Sequence, residues 1–264
     1  MTAKLDTPSE VGEYDAPMQL LLQLLWGDGF LSPGGTQEIE ALLEGIDLTG
    51  CRVLDIGSAL GAVSIALVRD HHAGSVVGID IDPGLLAQMA RRVADAGFSD
   101  RIETRLVEPG PLPFPDASFD VVFSKDSIVQ IPDKAALFAE VHRVLRPGGR
   151  FIASDWLRGG TGAYSADMLE YFRLEGLAYS MATLEESAAL LRHVGFTDVR
   201  VRDRNAWYLP IAEREAAALE GPLYPHVCEH IGRERADHFV RNWAQLARVV
   251  RRGELRPGHL YARR

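Results

Sequence analysis

The chain alternates between short runs rich in apolar residues and longer stretches in which apolar residues recur every three or four positions. Residues 51–56 (CRVLDI) are such a run ending at glycines, the pattern of a strand buried on both faces, and 60–69 (LGAVSIALVR) continue at helical spacing. The strand signal returns in SVVGIDI (75–81). DPGLLAQMARRVADAG (82–97) then opens on a capping aspartate and an early proline and closes on glycine, and RIETRLV (101–107) follows. FDVVFSK (119–125) reads as another buried strand, DKAALFAEVHRVLRPGG (133–149) as a helix with a Pro-Gly-Gly stop, and RFIASDW (150–156) as the next strand. Such alternation predicts an α/β fold built on a parallel, doubly wound sheet. Beyond residue 160 helical patterns dominate, interrupted by FTDVRVRD (196–203) and finished by GHLYARR (258–264), both read as strands. Residues 1–48 and roughly 205–255 then become helical additions that cap the sheet.

Composition narrows the partners. The 264 residues suffice for one large domain with a full core, or a domain plus a cap. With 37 acidic against 28 basic residues the formal charge is −9, which sets an overall repulsion against nucleic acid and anionic membrane. Cys51 and Cys228 lie far apart and form no CxxC pair, which fits a reducing compartment. The N-terminus, MTAKLDTPSE, has no basic region leading into an apolar run, and MQLLLQLLW is too short to span a bilayer. The expectation is a soluble, cytoplasmic protein without repeats or low-complexity tracts.

The turn from the first strand into the first helix carries the chemistry. A dinucleotide fingerprint there needs G-x-G-x-x-G, its second glycine letting the backbone touch a pyrophosphate. Here the order is Asp55, Gly57, Ala59, Gly61. Ala59 fills the place of closest pyrophosphate approach, and Asp55 sets a carboxylate beside the same anion. A cofactor without phosphates fits better. S-adenosylmethionine is one: its methionine end offers an ammonium to a carboxylate, while Gly57 and Gly61 let the backbone pass close to the ligand. Asp80, at the end of the second strand, can accept hydrogen bonds from both ribose hydroxyls, a feature that suits either cofactor. The plain alternative is a tight βα turn in an unrelated α/β fold.

VLDIGSALG, VVGIDID, PFPDASFDVVFSKDSI and LRPGGRFIASDW together resemble the successive motifs of the class I S-adenosylmethionine-dependent methyltransferases over about residues 50–157. A narrower resemblance extends upstream, where WGDGFLSPGG, with Tyr14 thirteen positions before Gly27, looks like the N-terminal segment of the phosphoethanolamine N-methyltransferases. The resemblance implies a Rossmann-like methyltransferase fold with a mainly parallel seven-stranded sheet. Its parts would be an N-terminal helical cap (1–48), a cofactor-binding core (49–160) and a remainder (161–264) that completes the sheet and carries the acceptor-side cap. It also implies roles. Leu31 and Ser32 would contact the cofactor and close over it; Asp55, Gly57 and Gly61 would form the methionine-side loop; Asp80 would take the ribose, with Ile81 packing on the adenine. Glu108 falls where the family usually has an aspartate that accepts from the adenine amino group. Lys125 would join the cofactor contacts and Asp126 the catalytic groups, at the rim of the acceptor pocket. The ordinary readings are a solvated Glu108 and an Asp126 that caps the next helix.

The acceptor side departs from the narrower family. Those enzymes pair the tyrosine matched by Tyr14 with a histidine four residues after the aspartate, and in KDSIVQ that place is Gln130. Glutamine orients through hydrogen bonds but does not titrate near neutral pH, so general-base work through this position is excluded. The family binds its substrate phosphate with an arginine two residues before a tyrosine, upstream of T-x-E-E. In YFRLEGLAYSMATLEE the tyrosine is Tyr179, but the arginine position is Leu177. A dianion without its bidentate cation is poorly held. The family's phosphate tyrosine at the end of the fifth strand is matched by Trp156. Arg173 is the nearest candidate to compensate, and an ordinary surface arginine is the simpler reading. Trp156, Tyr179 and Trp207 offer aromatic faces to a cationic or apolar acceptor. Core packing is the alternative for all three and the preferred one for Trp207.

HVCEH brings His226, Cys228 and His230 close in sequence, and the two histidines share a face if the segment is helical. Pro225 just precedes them, no second ligand pair follows at familiar spacing, and methyl transfer from a sulfonium needs no metal, so no metal site is expected. IAEREAAALEG and RVVRRGELR read as solvated faces of cap helices. The expected function is methyl transfer from S-adenosylmethionine to a small molecule, with nitrogen the leading acceptor and oxygen or carbon left open. The alternative is a S-adenosylmethionine-binding enzyme of another reaction class.

Overall fold

The computed structural model describes residues 14–176 and 179–264. Two helices, α1 (Ala16–Trp26) and α2 (Gly35–Leu42), lead into the alternating part: β1 (Arg52–Ile56), α3 (Ala62–Arg69), β2 (Ser75–Asp80), α4 (Pro83–Asp95), β3 (Ile102–Leu106), β4 (Phe119–Lys125), a 3₁₀ turn (Ile128–Gln130), α5 (Lys134–Val144) and β5 (Leu145–Arg158). The chain continues through α6 (Ala166–Glu175), α7 (Leu184–His193), β6 (Thr197–Asp203), α8 (Asn205–Glu220), α9 (Tyr224–Ile231) and α10 (Arg233–Arg251) to β7 (Leu255–Arg263). The seven strands form one sheet in the order β3-β2-β1-β4-β5-β7-β6. The first five are parallel, and β7 runs antiparallel to both its neighbours.

Both faces of the sheet are buried, which is why its strands read as apolar runs rather than as alternations. Leu54 and Ile56 of β1 point to one side, into a core shared with Phe138 and Val141 of α5 and Leu191 of α7. Val53 points to the other, against Ile39 of α2, Leu67 of α3 and Met89 of α4. A third cluster lies away from the sheet, where Leu21 of α1, Met168 of α6, Tyr208 of α8, Val227 of α9 and Phe239 of α10 pack together.

Local chemistry fixes the ends. Asp82 accepts hydrogen bonds from the N–H groups of Gly84 and Leu85, and Pro83 occupies the first helical position, so α4 begins where the sequence signals it. The helix expected over 133–149 is shorter. It ends at Val144, because Leu145 is already extended and pairs with Phe119 of β4, and the residue before Pro147 disfavours the helical region. The N-terminal helices are tied to the rest by ion pairs, one buried and one exposed. Arg204 donates to both oxygens of Glu38 on α2, at 3.0 and 2.5 Å, and His259 Nε2 lies 2.6 Å from Glu38 Oε1. Arg235 of α10 reaches Asp15, the N-cap of α1, at 2.6 Å. Among the described residues no helix is long and apolar enough to cross a membrane.

Candidate active site

The strand order reverses between β1 and β4, and open α/β sheets bind ligands outside the carboxyl ends of their strands at such a point. Asp55 lies there on β1, 1 % exposed, its Oδ2 accepting from Ser64 Oγ at 2.6 Å and forming no ion pair among the described residues. Burial pushes its carboxyl up to about 7, against the pull of the Ser64 hydroxyl and with a smaller push from Asp80. Asp80 ends β2. Its Oδ2 accepts from the Ala59 N–H at 2.9 Å and its Oδ1 from the Asp82 N–H at 3.0 Å, leaving lone pairs on each oxygen. Ala59 takes a φ of 47°, and that bond to Asp80 helps to hold a non-glycine residue in the left-handed region.

The loop glycines have a reason that the sequence did not show. At Gly57, with φ 75°, a Cβ would stand 2.4 Å from Ser127 Oγ; at Gly61, with φ 86°, it would stand 2.6 Å from Met89 Cγ. Close approach to the protein's own side chains, and not only to a ligand, therefore requires glycine at both places. Ser58 Oγ, between them, is buried without a hydrogen-bond partner. Ile81 and Leu106 are 59 % and 56 % exposed, and Leu106 pairs in register with Asp80, so two apolar side chains flank that carboxylate. Leu106 escaped the sequence reading. Glu108 follows on an exposed loop and forms no hydrogen bond or ion pair among the described residues.

At the end of β4 a short polar latch forms. Lys125 Nζ donates to Ser32 Oγ at 2.6 Å, to the Pro33 carbonyl at 2.8 Å and to Asp126 Oδ2 at 2.8 Å. Its three N–H bonds are thus spent within the protein, and Lys125 holds the N-terminal segment rather than offering a donor to a cofactor. Asp126 sits at φ 59° and its Oδ1 accepts from Ser154 Oγ at 3.0 Å. Its carboxylate serves this latch and caps no helix, and the 3₁₀ turn that follows has no side-chain cap.

A cleft opens beside the latch. Tyr14, Asp126, Gln130, Trp156 and Tyr179 all line it, together with Leu31 and Ser32. Its far wall was not singled out from the sequence: Trp26 of α1, Tyr171 and Glu175 of α6, and Trp243 of α10. Behind that wall stands Glu215 of α8, 7 % exposed, which accepts from Trp26 Nε1 at 2.7 Å, Tyr208 OH at 3.1 Å and Trp243 Nε1 at 3.3 Å. Burial pushes its carboxyl up to about 7 despite those bonds. The solvated-face reading of IAEREAAALEG fails at Glu215, which organises two of the cleft's tryptophans.

Other candidates separate from the cleft. Trp207 does not line it; the Arg204 guanidinium lies 4.5 Å over its ring, and the ring packs on Gly34. Arg173 is exposed and pairs with Glu170 on its own helix. Leu177 lies outside the described residues. On α9 the rings of His226 and His230 are 4.1 Å apart, as helical spacing requires, and Glu229 rather than Cys228 joins them, all exposed.

Residues 54–153 match the Methyltransferase domain family. The chain is 31 % identical over 239 residues to the 27-O-demethylrifamycin SV methyltransferase of Amycolatopsis mediterranei, covering 85 % of this chain and 87 % of that protein. The chain belongs to the class I S-adenosylmethionine-dependent methyltransferases. Within them it is close to the phosphoethanolamine N-methyltransferase group: it is 30 % identical over 234 residues to phosphoethanolamine N-methyltransferase 1 of Arabidopsis thaliana, covering 88 % of this chain and 46 % of the plant protein. The chain therefore spans about half the length of the plant enzymes it matches. Phosphoethanolamine N-methyltransferase 2 of Haemonchus contortus, solved with S-adenosyl-L-methionine, superposes with a TM-score of 0.87 at 25 % identity, over 96 % of this chain and 58 % of that one.

The residues fit the methyltransferase cofactor. A buried Asp55 without a cation and a buried Ser58 hydroxyl without a partner are two unmet needs of the loop, and an amino acid's ammonium and polar groups answer them. Asp80 retains acceptor capacity for a ribose, and Ile81 and Leu106 offer apolar surface to a base.

Proposed function

We propose that this chain transfers a methyl group from S-adenosylmethionine to a small amine held in the cleft by Tyr14, Asp126, Gln130, Trp156 and Tyr179. The observation that carries the amine is the charge of the lining: among the described residues it contains carboxylates and aromatic faces and no lysine, arginine or histidine. A phosphorylated acceptor meets no cation there, whereas an ammonium meets both of the groups that favour it.

The cofactor supplies an electrophilic methyl group already activated on a sulfonium. The protein's part is to align the acceptor and keep water out. Leu31 and Ser32, held down by Lys125, close the N-terminal side. Tyr14 and Gln130 orient the acceptor, and Asp126, fixed by Lys125 and Ser154, accepts an N–H from it. Deprotonation of the acceptor is left to solvent. Oxygen as acceptor is a second reading, favoured by the name of the rifamycin relative, which places its methyl group on oxygen.

The test is incubation with S-adenosylmethionine carrying a labelled methyl group and a panel of alkylamines, matched alcohols and phosphoethanolamine, read by mass spectrometry. Label is expected on amines and not on phosphoethanolamine. Label on alcohols alone would shift the reading to oxygen. Rapid methylation of phosphoethanolamine would defeat the charge argument.

A further inference from the structure

The two carboxylates of the cleft differ in their surroundings. Asp126, beside the strand ends, is neutralised by Lys125 at 2.8 Å. Glu175 ends α6 on the opposite, cap side, and its partners are neutral: Tyr179 OH donates to Oε1 at 3.2 Å and Asn242 Nδ2 to Oε2 at 2.5 Å. Among the described residues no lysine, arginine or histidine pairs with it. Asn242 is 1 % exposed, and its own Oδ1 has no hydrogen-bond partner, so this pair holds unused acceptor capacity. Tyr171 stacks on Tyr179 with ring centroids 6.3 Å apart and planes within 9°. Partial burial among these side chains pushes the Glu175 carboxyl up from its ordinary value, against the pull of its bonds to Asn242 and Tyr179. A carboxylate in such a place, with no counter-charge, burdens the empty protein, and a cationic ligand relieves that burden. Trp156, Tyr179 and Trp243 line the same cleft and supply aromatic rings that favour a cation.

We infer that Glu175 is a specificity-determining anchor for a second, cationic nitrogen of the acceptor, remote from the atom that receives the methyl group. The acceptor is then an alkyl chain with an ammonium at the cap end and a nucleophilic nitrogen at the strand end. The two roles fall to different elements. Asp126 and Gln130 come from the β4 end, next to the cofactor loop, whereas Glu175 and Asn242 come from α6 and α10. This inference rests on the cleft being the acceptor site, as proposed above.

The test uses the full chain saturated with S-adenosylhomocysteine and three probes: choline, its neutral isostere 3,3-dimethylbutan-1-ol, and phosphocholine. Tryptophan fluorescence reports binding, since three tryptophans line the cleft. Choline is expected to bind about tenfold or more tightly than the isostere, and phosphocholine no more tightly than choline. Glu175→Gln should cut the choline-to-isostere ratio several-fold, to the share that the aromatic rings supply, and Glu175→Asp should keep more of it, with S-adenosylhomocysteine affinity and the thermal midpoint showing that both variants are folded. Equal binding of choline and its isostere, no choline binding, or a ratio unchanged by Glu175→Gln would overturn the assignment. Failure of the proposed function reads differently: the choline preference persists while no amine gains a methyl group.

Discussion

Replacing Asp55 with asparagine should stabilise the ligand-free protein and weaken its grip on the cofactor, two effects of opposite sign from one buried carboxyl. Its ordinary value of 3.8 is raised to about 7 in the fold, chiefly by burial. An acid whose pKa rises on folding is one that the folded state prefers protonated. The stability it contributes is full below the unfolded value and is lost as the pH climbs through the folded one. About three pKa units at about 1.4 kcal/mol each put the cost at neutral pH on the order of 4 kcal/mol, with about 2 kcal/mol of it accruing between about pH 5 and pH 7. Asparagine removes this term and can still accept the Ser64 hydroxyl. Glu215 and Asp155, raised to about 7 and about 8, also titrate, so the informative quantity is the difference between variant and parent, in which they cancel. Urea denaturation of both proteins from about pH 5 to pH 8 should show that difference growing in favour of Asp55→Asn. Calorimetry with S-adenosylhomocysteine should show the parent's affinity rising about tenfold between about pH 6 and pH 8, as the carboxylate that pairs with the ligand's ammonium ionises, and a flat, weaker affinity in the variant. Parallel denaturation curves would refute the buried acid. Equal affinities at the upper pH would remove Asp55 from the cofactor's methionine end.

Asp80→Ala should weaken S-adenosylhomocysteine binding by roughly 1.5–3 kcal/mol in calorimetry, because it removes charge-assisted bonds to the ribose and frees the Ala59 and Asp82 N–H groups that order the loop; unchanged affinity would take Asp80 out of the site. Lys125→Met leaves Asp126 buried without its counter-charge and should lower stability by about 3 kcal/mol or more. Adding Asp126→Asn should recover much of that stability without restoring turnover, and full turnover in the double variant would show that the latch has no part in the reaction. Gln130→Ala should slow methyl transfer about three- to twelve-fold, with Tyr14→Phe costing at least as much, while Gln130→His should add an inflection near about pH 6.5 to a rate profile that otherwise follows the acceptor's own ionisation. Full activity in both Gln130→Ala and Tyr14→Phe would confine the site to its cofactor half.

The order of strands and helices, the turn after β1 and the acid at the end of β2 were legible in the sequence because each rests on neighbours in the chain. Burial on both faces writes apolar runs, helical packing writes a 3.6-residue period, and a βα turn writes its glycines within a few positions. What those glycines touch was not legible. Gly57 is required by Ser127 and Gly61 by Met89, contacts between different βα units. Lys125 read as a cofactor contact at the rim of the acceptor pocket, and only the fold brought Ser32 and Pro33 to it across more than 90 positions. Glu215 lay in a charged run whose neighbours Glu213 and Arg214 do face solvent, and only the packing of α1, α8 and α10 turned it inward to hold two tryptophans. The loop side of the candidate site therefore declared itself in local motifs. The cleft wall of Trp26, Tyr171, Glu175 and Trp243 was decided by tertiary structure, because helical periodicity states that a helix has a buried face and not which distant helix, or which charge, that face will meet.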